Sequence, residues 1–267
     1  MSRSRWQKTL RLLSTFVVAP LTVGRALPGE LRQRHGNEQP HLLDESWHEH
    51  LHDLIGAQWP CPQVQHCDDL VEEIRGLLAA QGLGYGRQTY GCYSDGDRLL
   101  CRAAWCVVVH TRPSVVIETG VAHGVTSRVI LEALQLNGHG HLWSIDLPNP
   151  FDQRLHVQTG AAVPEACRHR WSYIQGASRQ RLRSLVAEVG RIDLFLHDSL
   201  HTPRNTVFEM ESAAAAISPG GIMLVDDIMT HRGFAMFCKR HPGYRTIVCP
   251  SEDRKAMFGI AASPGSC

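Results

Sequence analysis

The 267 residues, 43% of them hydrophobic, hold enough apolar material for one substantial α/β core with an appendage, but hardly for two large independent domains. The formal net charge is +1 and the basic residues are dispersed, so the chain advertises no polyanion-binding face of the kind nucleic acids require. Nine cysteines at irregular spacing, an odd total with no CxxC pair, are unlike a disulfide framework or a zinc module and fit a reducing cytoplasm.

At the start, Arg3, Arg5, Lys8 and Arg11 precede an apolar stretch from Leu12 to Val23, the order of a signal peptide. Pro20 interrupts that stretch, no small-x-small cleavage site follows, and it falls short of the about 20 apolar residues a bilayer span needs. The segment reads as a packing helix, or as one that meets a membrane surface or a partner through residues 1–25. Residues 1–40 carry seven basic side chains, whereas residues 41–75 carry eight acidic ones against Arg75 alone, so the two blocks are able to pair. Helical periodicity runs through Leu42–Ile55 and Leu70–Leu78, separated by Pro60-Cys61-Pro62, which makes residues 1–95 a small helical cap and a reasonable surface for a homo-oligomer. Of His48, His50 and His52, only His48 and His52 share a helix face, and without a third ligand they read as surface residues.

From about residue 96 the pattern changes. A helix over Leu99–His110 leads into a strand at Ser114–Ile117, a glycine-rich turn and a helix over Thr126–Leu136. The rhythm repeats, with strands at Leu142–Ile145, Ser172–Ile174, Ile192–Leu196 and Ile222–Val225, and helices at about 179–189, 203–216 and 231–240. Such alternation predicts a parallel sheet covered on both faces. Tyr244–Val248 and Lys255–Ile260 lie close enough together for an antiparallel hairpin at the sheet edge. The fold class is therefore α/β, a Rossmann-like, doubly wound, mostly parallel seven-stranded sheet over residues 96–267, with the N-terminal helical cap.

In an open parallel sheet, ligands sit outside the carboxyl ends of the strands, and here those ends are polar. The first ends in Glu118-Thr119-Gly120-Val121-Ala122-His123-Gly124, where glycines let the backbone approach a ligand and open the next helix near Thr126. The second ends in Asp146, whose carboxylate is able to accept hydrogen bonds from both hydroxyls of a ribose. After the third, Ser178 either caps the following helix or reaches an adenine edge. The fourth gives His197-Asp198-Ser199-Leu200-His201, with Thr202-Pro203 as an N-cap and first helical residue. The fifth, after Pro219-Gly220-Gly221, ends in Asp226-Asp227. Three carboxylates on one rim, Asp198, Asp226 and Asp227, repel one another unless a hard divalent cation such as magnesium neutralises them or backbone amides cap them.

Four segments, VVIETGVAHGVTS, GHLWSIDLP, LFLHDSLHT and SPGGIMLVDDI, together resemble the class I methyltransferase family that includes macrolide-sugar and other natural-product O-methyltransferases (the family 24 type), over about residues 95–240. The resemblance implies an S-adenosylmethionine site built from Glu118, Gly120, Gly124, Thr126, Asp146, Ser178 and Asp198. A looser likeness to catechol O-methyltransferase puts Asp198, Asp226 and Asp227 on magnesium-ligand positions and His201 on that of the general base, with His201 and Asp198 as the catalytic pair. His197 is the rival base, but as the residue before Asp198 on a strand it should face the other way. The function implied is magnesium-assisted O-methylation of a small-molecule hydroxyl in a cytoplasmic, biosynthetic setting, on a sugar, phenol or polyketide, with the cap and the insertion at Phe151–Arg170 walling the acceptor pocket. The alternatives are methyl transfer to nitrogen or carbon without metal, and a catalytically silent cofactor-binding scaffold. A short-chain dehydrogenase fails, because none of the five tyrosines has a lysine four residues later.

Overall fold

A computed structural model describes residues 42–84, 86–90, 93–148 and 151–265; the basic and apolar segment at residues 1–25, with its expected surface contact, lies outside the described residues. Helices α1 (Trp47–Leu54) and α2 (Val64–Ala80) precede a two-stranded antiparallel ribbon, β1 (Gly86–Tyr90) and β2 (Tyr93–Asp95). Then follow α3 (Arg98–Thr111), β3 (Val115–Thr119), α4 (Val125–Asn137), β4 (His141–Asp146), α5 (Gln153–Gln158), a 3-10 turn (Glu165–Arg170), β5 (Trp171–Gln175) and α6 (Ser178–Val189). The last part holds β6 (Ile192–His197), α7 (Pro203–Ala214), β7 (Ile217–Val225), a 3-10 turn (Ile228–Thr230), α8 (Gly233–Arg240), β8 (Arg245–Pro250) and β9 (Met257–Ala262).

Seven strands form one sheet in the order β5-β4-β3-β6-β7-β9-β8, parallel from β5 to β7 and antiparallel at β9 and β8. The hairpin expected at the edge is there, with β9 slotted against β7 and β8 outermost. The ribbon of β1 and β2 lies within residues 1–95, expected as a helical cap, and beyond the stretches of helical periodicity, where glycines at 82, 84, 86, 91 and 96 break any helix that would run through it. β3 also runs two residues further than the apolar run suggests: Glu118 and Thr119 are polar but 1% and 0% exposed, and both are satisfied by hydrogen bonds inside the protein.

The period-two alternation of the strands divides the core. Val116, Leu142, Leu194, Leu196, Ile222 and Leu224 face α3 and α4, where Trp47, Leu51, Val71, Ile74 and Leu78 of the first two helices join them. Ile117, Ile145, Phe195, Met223 and Val225 face α6, α7 and α8 through Leu182, Met210, Phe234 and Phe237. Each such side chain, fully buried, contributes about 1.5–3 kcal/mol against the entropy of ordering it. Among the described residues, no helix is long and apolar enough to cross a membrane.

Candidate active site

The parallel strands deliver their C-terminal ends to one rim. Beyond Thr119 the chain takes a left-handed turn at Gly120 (φ +88°), and a Cβ there would lie 1.9 Å from the carbonyl oxygen of Asp198. The residue type is thus dictated by the approach of the β6 tip, which the Asp198 N–H reinforces by donating to the Thr119 carbonyl at 2.8 Å. Gly124 (φ +83°) is equally constrained, since its Cβ would come 2.9 Å from the Cα of Gly160. The Gly160 and Ala162 amides donate to the carbonyls of Ala122 and His123, so the insertion after β4 is sewn to the turn.

Asp146, half-buried at the end of β4, accepts from the Val121 and Ala122 amides, both at 3.2 Å, and from the Leu147 amide at 2.7 Å. Its carboxylate therefore holds the turn in shape from the position expected for a ribose ligand. Glu118 and Thr126 lie deeper. Glu118 Oε2 accepts from Ser127 at 2.6 Å and Ser144 at 2.7 Å, which ties α4 to the sheet, and the Thr126 hydroxyl lies 4.0 Å from the Cys101 sulfur. Ser178 does not cap α6. The N-cap is Ala177, with no side-chain bond, and Ser178 is the first residue of the helix.

Glu209, fully buried on α7, gathers a network the sequence reading missed. Its carboxylate accepts from Thr119 (2.6 Å), His197 Nδ1 (2.5 Å), Ser199 (2.7 Å) and Asn205 (2.7 Å). Burial pushes the carboxyl up, but the attraction of His197 and the hydrogen bonds from His197 and Thr119 outweigh it and hold the group down at about 2. The other nitrogen of His197 meets Thr206 Oγ1 at 3.0 Å, and Thr206 Oγ1 meets His231 Nε2 at 3.2 Å. His231 Nδ1 accepts from the Gly233 amide, so its proton sits on Nε2 and points to Thr206. His197 is sealed at 0% exposure, facing α7 as the strand alternation requires. The signal for this network lies in α7 itself, where Thr202, Asn205, Thr206 and Glu209 follow the spacing of a buried helical face.

Above the network, Asp198, His201 and Asp226 converge, with one donor atom from each inside a 4.8 Å span. His201 Nε2 stands 3.5 Å from Asp198 Oδ1, and His201 Nδ1 is buried without a hydrogen-bond partner among the described residues. Burial, with Asp198 and Asp227 nearby, pushes the Asp226 carboxyl well above the usual carboxylate range. Asp227 stays outside that span: its backbone turns left-handed (φ +52°) to start the 3-10 turn, and its carbonyl accepts from Thr230. Thr202 caps α7 as expected, accepting from the Asn205 amide ahead of Pro203 at the first helical position.

Residues 117–228 match a family described as a methyltransferase domain. No curated protein matches the sequence. Among solved structures, the O-methyltransferase TomG from Streptomyces achromogenes, involved in tomaymycin synthesis and in complex with SAM, superposes with a TM-score of 0.56 at 14% identity, over 73% of this chain and 90% of its own. An O-methyltransferase from Bacillus cereus in complex with SAH gives 0.56 at 12% identity, over 80% and 96%. A putative O-methyltransferase from Klebsiella pneumoniae gives 0.55 at 15% identity, over 81% and 97%. At these identities the superpositions speak to the fold.

Proposed function

We propose that this chain, a class I S-adenosylmethionine-dependent methyltransferase with its methyltransferase domain at residues 117–228, methylates a hydroxyl oxygen of a small molecule, a sugar, phenol or polyketide, with the help of magnesium. The observation that carries this reading is the meeting of Asp198, His201 and Asp226 at adjacent strand tips, directly beside the backbone of Gly120. The oxygen acceptor is also supported by the activity named for TomG and the Bacillus cereus protein. The donor set suits a hard divalent cation, since a half-buried carboxyl pushed up by burial and by neighbouring carboxylates is one that a positive charge would relieve. Asp198 and Asp226 would hold the ion, with Asp227 at its margin.

When bound, the sulfonium supplies an electrophilic methyl group and the cation lowers the pKa of a hydroxyl beside it. The rest falls to the chain. Gly120, Ala122 and Asp146 shape the turn that cradles the cofactor, and the Gly120 contact fixes that turn relative to Asp198. His201 Nε2 accepts the hydroxyl proton, and the adjacent Asp198 carboxylate favours the imidazolium that forms. Alignment of acceptor and methyl group then does most of the work.

The test is a transfer assay with isotopically labelled cofactor against a panel of hydroxylated metabolites. Transfer that falls with EDTA and recovers with magnesium supports the reading. Transfer indifferent to EDTA removes the metal, and cofactor binding without transfer to any acceptor favours the silent scaffold.

A further inference from the structure

The cap holds a second cluster of ligating side chains, at the end of α3 that feeds the start of β3, whereas the carboxylates described above follow the ends of β6 and β7. His52 sits in the last turn of α1 and is 0% exposed. Its Nδ1 lies 2.6 Å from the His48 carbonyl and donates to it, which leaves Nε2 as an unprotonated lone pair. That nitrogen is buried and has no hydrogen-bond partner among the described residues, an arrangement that is costly when nothing fills it. Two partners of the right kind are at hand. Cys61, from the Pro60–Pro62 loop between α1 and α2, puts its sulfur 3.2 Å from His110 Nε2, and donor atoms of His52, Cys61 and His110 all lie within 4.8 Å of one another. Cys106, one helical turn before His110 on α3, lies near Cys61, outside the group of three donors that share that 4.8 Å span. The Trp59 ring lies 5.0 Å from that of His52 and stacks on His48, at the flank of the cluster.

We propose that His52, Cys61 and His110 bind one zinc ion, with the nearby Cys106 turning its sulfur in as the fourth ligand, a structural site that clamps α1 and its following loop onto α3. Two sulfurs and two imidazole nitrogens, with no carboxylate among them, are the donor set of a closed tetrahedral zinc centre rather than of a magnesium or calcium site. The His52 bond to the His48 carbonyl is the outer contact a zinc-bound histidine makes, since it fixes both tautomer and ring orientation. The spacing explains why the sequence conceals the site: the ligands come from a helix end, a proline-flanked loop and a second helix, with no CxxC pair to announce them.

The experiment uses the full chain without a histidine tag, produced with zinc in the medium and desalted. Elemental analysis and native mass spectrometry are expected to find about one zinc per chain, and cobalt in its place to show thiolate-to-metal absorption. Cys61→Ser and Cys106→Ser should each bring zinc to background, while Cys167→Ser and Asp226→Asn keep it; the latter separates this ion from any cation at the strand tips. Should a serine variant fail to fold, the wild-type zinc content and cobalt spectrum still decide. Wild-type protein that takes up no zinc, a Cys61–Cys106 disulfide in its place, or zinc content unchanged in Cys61→Ser would each overturn the proposal, leaving the methyl-transfer reading untouched.

Discussion

At Gly120 a single hydrogen does the work of a design rule, because the β6 tip leaves no room for anything larger. Gly120→Ala should therefore force the turn away from Asp198, with strain of about 1–3 kcal/mol from the left-handed backbone before the clash is counted. The expected outcome is a lowered melting temperature and cofactor affinity reduced at least about tenfold, read by calorimetry; unchanged affinity would mean the turn does not shape the cofactor site. His201 poses the complementary question. Its ring is half-buried beside Asp198 and makes no hydrogen bond through Nδ1 among the described residues, so its removal leaves the packing nearly intact. His201→Gln is expected to cut turnover by about 10²–10⁴-fold while cofactor affinity holds, the range that loss of a general base covers. A variant with wild-type turnover would pass the base role to another group.

One helix, α7, joins the parts of the rim. Through Glu209 and Thr206 it binds the last residue of β6 (His197), the β3 tip (Thr119) and the loop after β7 (His231), so the carboxylate-bearing loops are positioned from below. The pH behaviour follows from the depressed carboxyl. A group ionised more easily in the folded state than in the unfolded chain stabilises above its unfolded value, near 4.5, and that stabilisation disappears as pH falls toward about 2. Glu209→Gln should flatten the dependence of unfolding free energy on pH across that window, measured by urea titration, and cost about 3–5 kcal/mol at neutral pH because His197 loses its buried partner. An unaltered slope would assign the acid sensitivity elsewhere. The same helix marks the border of what a sequence reader sees. Asp198, His201 and Asp226 were legible because chain order alone carries strand ends to one rim. Glu118 faces inward because β3 continues to Thr119 in the phase that puts it on the side of Val116, and that phase is invisible if the strand is ended at Ile117. Glu209 was passed over because a buried glutamate on a helix reads as a solvated one until its four partners, from three other segments and its own helix, are seen together.

On the scale of the molecule, the acidic block at residues 41–75 finds arginines within the described fold: Asp68 holds Arg102 at 2.7 and 2.6 Å, Glu73 meets Arg128, Glu72 meets Arg75 and Arg98, and Glu45 reaches Arg254 near the final hairpin. The exposed Glu45–Arg254 pair adds little, about 0–1 kcal/mol, the Asp68–Arg102 and Glu73–Arg128 pairs are partly buried, and the attachment of the first two helices rests chiefly on their apolar faces. Those faces share a core with the sheet: Ile74 and Leu78 of α2 belong to one buried cluster with Trp105, Val116 and Leu194. A boundary near residue 95 would then divide the chain in sequence but not in folding, because a cap that buries its apolar stripe against α3, α4 and the final hairpin has no core of its own. Ile74→Ala tests this at full strength. The side chain is 0% exposed, and its loss should cost about 2–5 kcal/mol through transfer and cavity terms together. If the helices and sheet unfold as one, the resolved fluorine-19 resonance of the sheet residue Trp143 in fluorotryptophan-labelled protein and far-ultraviolet circular dichroism will move to lower urea by the same amount, in a single coincident transition. If α1 and α2 form an independent unit, the variant will instead show an early step that leaves the Trp143 signal at its wild-type midpoint.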